Sequence, residues 1–125
     1  MGVRAFHVIE NTKTNLSFNG LEIDNINRSV RKQKQEIDLT FTEFEILYLL
    51  ANNPGRVFSK EQIYDIVWKE SYTGDYNIVM SHIRNLCEKI EDNPSKPVYI
   101  QTVWGVGYRF NQKWWNNINL SDEVE

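Results

Sequence analysis

The chain has 125 residues, 41% hydrophobic, 25% charged and 13% aromatic, which is about one domain of ordinary globular composition and excludes global disorder. No apolar run approaches the roughly 20 residues of a membrane-spanning helix. Residues 1–10 lack a signal-peptide core, and the lone Cys87 excludes an internal disulfide, so a reduced, cytoplasmic setting with no membrane association is expected. Fourteen basic against 17 acidic residues give a net charge of −3, spread as +1 over residues 1–40, −2 over 41–74, zero over 75–110 and −2 over 111–125. That leaves room for a weakly basic face and excludes a strongly basic one.

Residues 1–14 show no clear period beyond the alternation of Val3, Ala5, His7 and Ile9, and are read as a linker or frayed segment. From Asn15 to Leu39 the signals are short and strand-like. Leu16–Phe18 meets the turn pair Asn19-Gly20, a strong hairpin cue, and Leu21–Asp24, Ser29–Lys32 and Glu36–Leu39 follow between polar turns. A four-stranded antiparallel sheet is the expectation. At Thr40 the period changes. Thr40 and Glu43 have capping-box spacing, Phe44, Leu47, Tyr48 and Ala51 recur at helical intervals as core candidates, and Pro54-Gly55 stops the helix. A second capping box at Ser59 and Gln62, flanked by the staple pair Phe58 and Ile63, opens another helix with Ile63, Ile66 and Val67 on its buried side and Trp68 near its end.

The third predicted helix runs from about Asp75 to Glu91. Val79, Ile83, Leu86 and Ile90 fall in one narrow stripe, and Asn77, Ser81, Arg84, Asn85 and Glu88 lie opposite. By periodicity alone that polar face fits either a solvated surface or a binding surface. After Asn93-Pro94-Ser95, the β-branched and aromatic run from Val98 to Phe110 reads as a hairpin with its tip at Trp104 to Gly107. The expected fold is therefore α+β, a winged helix-turn-helix: N-terminal four-stranded antiparallel sheet, three helices, and a C-terminal β-hairpin wing. The domain spans residues 15–112, and 113–125, with Trp114-Trp115, form a tail.

Chemical sites fare poorly. Gly105-Val106-Gly107 lacks a third glycine at phosphate-loop spacing and precedes a strand. His7 and His82 are far apart without acidic or cysteine partners at ligand spacing, so no metal and no cofactor is expected. Cys87 reads as a small packing residue rather than a redox sensor. No nucleophile, base and orienter assemble, and an enzyme is the least supported class.

The segments LTFTEFEILYLLANNPGRVFSKEQIYDIVW, HIRNLCEKIEDNP and YIQTVWGVGYRF, with FNGLEIDNINRSVRKQKQEIDLT before them, closely resemble the effector domain of OmpR/PhoB-type response regulators over residues 16–110. The resemblance implies a transcription regulator of a two-component system that binds double-stranded DNA, with the third helix in the major groove and the wing at the minor groove. It implies direct repeats bound head to tail as a dimer, and contact with RNA polymerase through the loop Lys69, Glu70, Ser71, Tyr72, Thr73 and Gly74. Carried over by position, Ser81, Asn85 and Trp104 are candidates for base contact. Trp68, Asn77, Ile78, His82, Arg84, Thr102 and Tyr108 are candidates for phosphate contact. For His82 a packing role is an equal alternative, and Trp68 and Tyr108 also suit the core.

Two departures stand out. The family typically carries arginine at Asn77, Asn85 and Cys87, and often at Trp104, so weaker phosphate attraction and a flatter salt dependence are expected. Asn85 retains the amide geometry that reads adenine, whereas Trp104 replaces charge with an indole suited to sugar packing or a base step. Nothing resembles the phosphoacceptor receiver domain that normally comes first. Residues 10–15 resemble the joining linker, which favours an excised effector domain over a naturally receiverless regulator. The rival reading is a winged-helix protein-interaction module with little or no DNA binding, favoured by the weak basicity and missing arginines.

Overall fold

A computed structural model of the chain describes residues 15–69 and 75–113. The segment over 1–14, the loop over 70–74 and the tail beyond Lys113 lie outside the described residues. Four short strands come first: β1 (Asn15–Phe18), β2 (Leu21–Asp24), β3 (Ser29–Lys32) and β4 (Gln35–Ile37), paired antiparallel in sequential order. The Asn19-Gly20 cue is realised as a two-residue turn with both residues at positive φ, 47° and 91°. Gln33 and Lys34 form the equivalent turn between β3 and β4 at φ 51° and 69° without a glycine. The fourth strand stops at Ile37 instead of reaching Leu39, and Thr40 follows as the extended N-cap of the first helix.

Three helices follow: α1 (Phe41–Ala51), α2 (Lys60–Trp68) and α3 (Tyr76–Ile90). Both predicted capping boxes form. The Glu43 N–H donates to Thr40 Oγ1 at 3.1 Å and the Thr40 N–H to Glu43 Oε1 at 3.0 Å, and Ser59 and Gln62 repeat the exchange. Helix α1 is buried on more than one side: Ile46 and Leu50 are as fully enclosed as Phe44, Leu47 and Ala51. It is therefore the central helix, packed against α2, α3 and the C-terminal hairpin. On α2 the expected burial of Ile66 does not occur. Ile66 is 47% exposed and Tyr64 takes its place beside Ile63, because the inward face is centred on positions 63, 64 and 67.

The hairpin comprises β5 (Ile100–Val103) and β6 (Gly107–Phe110), in register from Ile100 opposite Phe110 to Val103 opposite Gly107. Two devices fix it to the body. Phe58, the staple residue before α2, pairs with Tyr108 through N–H···O=C bonds in both directions, 2.8 and 2.9 Å. That approach is so close that a Cβ at Gly107 would lie 2.0 Å from the Phe58 carbonyl oxygen. At the other end the buried Glu91 carboxylate, just past α3, accepts N–H bonds from Val98, Tyr99 and Ile100. Ionised acceptors of this kind make bonds about twice as strong as neutral ones. Phe18 and Phe110 rings meet at 4.7 Å, and the Tyr99 hydroxyl donates to the Asn19 carbonyl at 2.9 Å, joining the N-terminal sheet to the hairpin.

Candidate nucleic-acid interface

Helix α3 is capped by Asp75, whose carboxylate accepts the Asn77 N–H at 3.2 Å. Its stripe of Val79, Ile83, Leu86 and Ile90 is buried, and Asn77, Ser81, Arg84, Asn85 and Glu88 all face solvent. None of these five side chains hydrogen-bonds another described residue, so a row of amide, hydroxyl and guanidinium groups is held by the helix and left open. Asn77, Ser81 and Asn85 stand at intervals of one turn, a line about 12 Å long. Met80, on one edge of the row, is also exposed and was not singled out as a contact. Glu88 places one negative charge beside Arg84, so the row carries no net charge.

The hairpin forms the second wall. Thr102 and Tyr108 are cross-strand partners, and together with Asn77, Ser81, Arg84 and Cys87 they line an open concavity of about 410 Å³. Thr102 is exposed and Tyr108 half-buried. Burial, and then Cys87, raise the Tyr108 phenol above its usual pKa, so it stays a neutral donor. Trp104 does not line this concavity; it stands farther out on the wing, beside Pro97, Thr102 and Arg109. On the opposite flank Trp68 stacks on Tyr64 at 4.9 Å, and His82 leans on Trp68 at 5.6 Å, so both are half-buried rim residues engaged in aromatic packing. Ile78 is half-buried against the core. Lys69, the first residue of the predicted polymerase-contact loop, ends α2 in the left-handed conformation and is exposed; Glu70, Ser71, Tyr72, Thr73 and Gly74 lie outside the described residues.

Burial first, then Glu91 and Glu88, push the Cys87 thiol up to about 12, so it is a protonated packing group at the foot of the concavity. Among the described residues no group of three or more His, Cys, Asp or Glu side chains could hold a metal ion, and no helix is long and apolar enough to cross a membrane. The positioning role of Glu91 was not visible in the sequence, where a lone acid at a helix end carries no signature. The Phe58 bridge involves a single residue and left no strand pattern.

A sheet, three helices with the last one presenting a polar row, and a hairpin beside that row define a winged helix-turn-helix. Residues 34–110 match the family described as "Transcriptional regulatory protein, C terminal", and the chain belongs to this family, the effector domains of OmpR/PhoB-type response regulators. It is similar to the uncharacterized transcriptional regulatory protein YcbL of Bacillus subtilis, 51% identical over 92 residues that make up 74% of this chain and 40% of YcbL. The chain thus spans about two-fifths of the length of the curated relatives it matches. Its fold is similar to that of the response regulator DrrB, a Thermotoga maritima OmpR/PhoB homolog, with TM-score 0.75 and 35% identity over 83% of this chain and 47% of DrrB. It is also similar to the Klebsiella pneumoniae RstA DNA-binding domain, solved in complex with the RstA box, with TM-score 0.72 and 30% identity over 78% of this chain and 97% of that one.

Proposed function

We propose that residues 15–112 form a sequence-specific double-stranded DNA-binding domain of a cytoplasmic two-component transcription regulator, with α3 in the major groove and the wing at the minor groove. The observation that carries this reading is the open row Asn77, Ser81, Arg84 and Asn85 on one face of α3, beside Thr102 and Tyr108 of the wing. A helix about 10–12 Å across fits the major groove, where side-chain amides, hydroxyls and guanidinium groups match base edges. Ser81 and Asn85 take base edges, with Trp104 at the wing. Arg84, Asn77, Thr102 and Tyr108 take phosphates, joined at the rim by Trp68, Ile78 and His82. The similarity to a DNA-bound relative supports the same reading. Head-to-tail dimers on direct repeats, and polymerase contact through Lys69 to Gly74, complete the proposal.

The net charge of −3 and the exposed Ile66 and Met80 favour one rival, a protein-docking winged helix with little DNA affinity. A gel-shift titration of the whole chain on random duplex at low salt separates the two. Retention at micromolar concentration or tighter is expected; no retention at low salt overturns the DNA reading and leaves the rival.

A further inference from the structure

The wing ends in Trp104, Gly105 and Val106, and this tip is apolar and projecting. Trp104 is 89% exposed and Val106 56%, and a Cβ at Gly105 would meet nothing within 4 Å. The tip is also held in shape. Gly105 sits at φ +79°, the Val106 N–H donates to the Val103 carbonyl at 2.9 Å, and the β5–β6 ladder below it is continuous. No cation stands among these three residues.

A tip without a cation releases no counterions from the phosphates of a groove. Beyond a hydrogen bond from the Trp104 indole N–H, what it contributes to a duplex contact comes from removing apolar surface from water. The apolar surface of a duplex lies between stacked bases, and the sugar–phosphate edge offers less of it. An indole has the planar shape and thickness of a base, and the rigid turn below it supplies the backing a wedge needs. We infer that the wing tip is an intercalating wedge: Trp104 enters a base step from the minor groove, Val106 packs on the adjoining sugars, and the step chosen is a flexible pyrimidine–purine step. This rests on the DNA-binding reading above. It goes further in assigning specificity to base-step deformability at a residue that offers no base-reading hydrogen-bond pair.

The test begins with the 125-residue chain selecting its site from a random duplex library. The selected duplex is then prepared with the fluorescent adenine analogue 2-aminopurine at successive positions, because its emission rises when stacking is lost. The expected result is a several-fold rise at one pyrimidine–purine step flanking the α3 site. Trp104→Ala loses that rise and binds at least about tenfold more weakly, in line with the usual cost of deleting a base-stacking aromatic. Because Trp104 is almost wholly exposed, its removal leaves the core intact. A parent complex with no rise at any position, a rise that persists in Trp104→Ala or Trp104→Arg, or unchanged affinity of Trp104→Ala overturns the wedge. If no sequence is enriched at the selection stage, the DNA-binding reading itself falls, before any fluorescence is measured.

Discussion

Gly107 and Gly105 sit two residues apart in one hairpin, yet alanine at the two positions should cost very different amounts. At Gly107 the backbone is not in the left-handed region, so the whole penalty is steric. The new methyl would lie 2.0 Å from the Phe58 carbonyl oxygen, 2.7 Å from its carbonyl carbon and 2.9 Å from Ser59 Cα. All three are backbone atoms, so no side-chain rotation relieves the clash. The strand has to retreat by more than an ångström, breaking the paired bonds of 2.8 and 2.9 Å between Phe58 and Tyr108. Two net hydrogen bonds at about 1 kcal/mol each, with a further 1–2 kcal/mol for loosened packing around Phe58, give a loss of about 3–4 kcal/mol. Gly105 lies at φ +79° with open space around it, so alanine there incurs only the left-handed penalty of about 1–2 kcal/mol. Urea unfolding followed by far-ultraviolet circular dichroism measures both. For a domain of this size the gap between the variants corresponds to roughly 10 °C in Tm. Equal losses at the two glycines, or a Gly107→Ala protein within 1 kcal/mol of the parent, would refute the close-approach argument.

Four further outcomes follow from the same geometry. Arg84→Ala should weaken binding to every duplex and lower the salt slope by about one, read from affinities at several salt concentrations. Asn85→Ala should relax preference at one base pair, costing about 1–3 kcal/mol on the selected site, and Asn85→Arg should shift that position from adenine toward guanine; an unchanged consensus in both would refute base contact. Burial pushes the Glu43 carboxyl pKa up, but the Lys89 ammonium at 2.7 Å and the Thr40 N–H outweigh it and hold the pKa below the ordinary glutamate value. A depressed folded-state pKa stabilises above the unfolded value and loses that stabilisation as pH falls through the folded one, so Glu43→Gln should flatten the decline in stability below about pH 4.5. With its thiol pushed up to about 12, Cys87 should react with a disulfide reagent at pH 8 at least about tenfold more slowly than an ordinary cysteine until the chain is unfolded, the scarcity of thiolate being only partly offset by its higher nucleophilicity; prompt labelling of native protein would contradict its burial.

What was legible in the sequence was whatever local spacing encodes. Two capping boxes, the Asn19-Gly20 turn and the α3 stripe all act within a few residues, and each appears where the spacing put it. Positions set by distant neighbours were harder to read. Ile46 and Leu50 point away from the stripe of Phe44, Leu47 and Ala51, and their burial depends on α1 being surrounded, which no single-stripe analysis detects. Tyr64 is buried where Ile66 is not for a related reason: its ring stacks on Trp68, which His82 of α3 meets in turn, a contact between elements that spacing along α2 does not encode. The exposed row on α3 was readable as polar, but its company with Thr102 and Tyr108 depends on contacts between elements far apart in sequence. Those contacts run through Phe58 and Glu91, each a single residue without a repeating pattern around it.

The Glu91 carboxylate has a consequence for the DNA itself. By gathering three N–H groups from residues 98–100 at the end of α3, it makes helix and ribbon two tines of one fork with a set gap. A duplex has to satisfy both tines at once, so the number of base pairs between their footprints is fixed for each copy of the domain. A site that one domain occupies therefore keeps one invariant internal spacing.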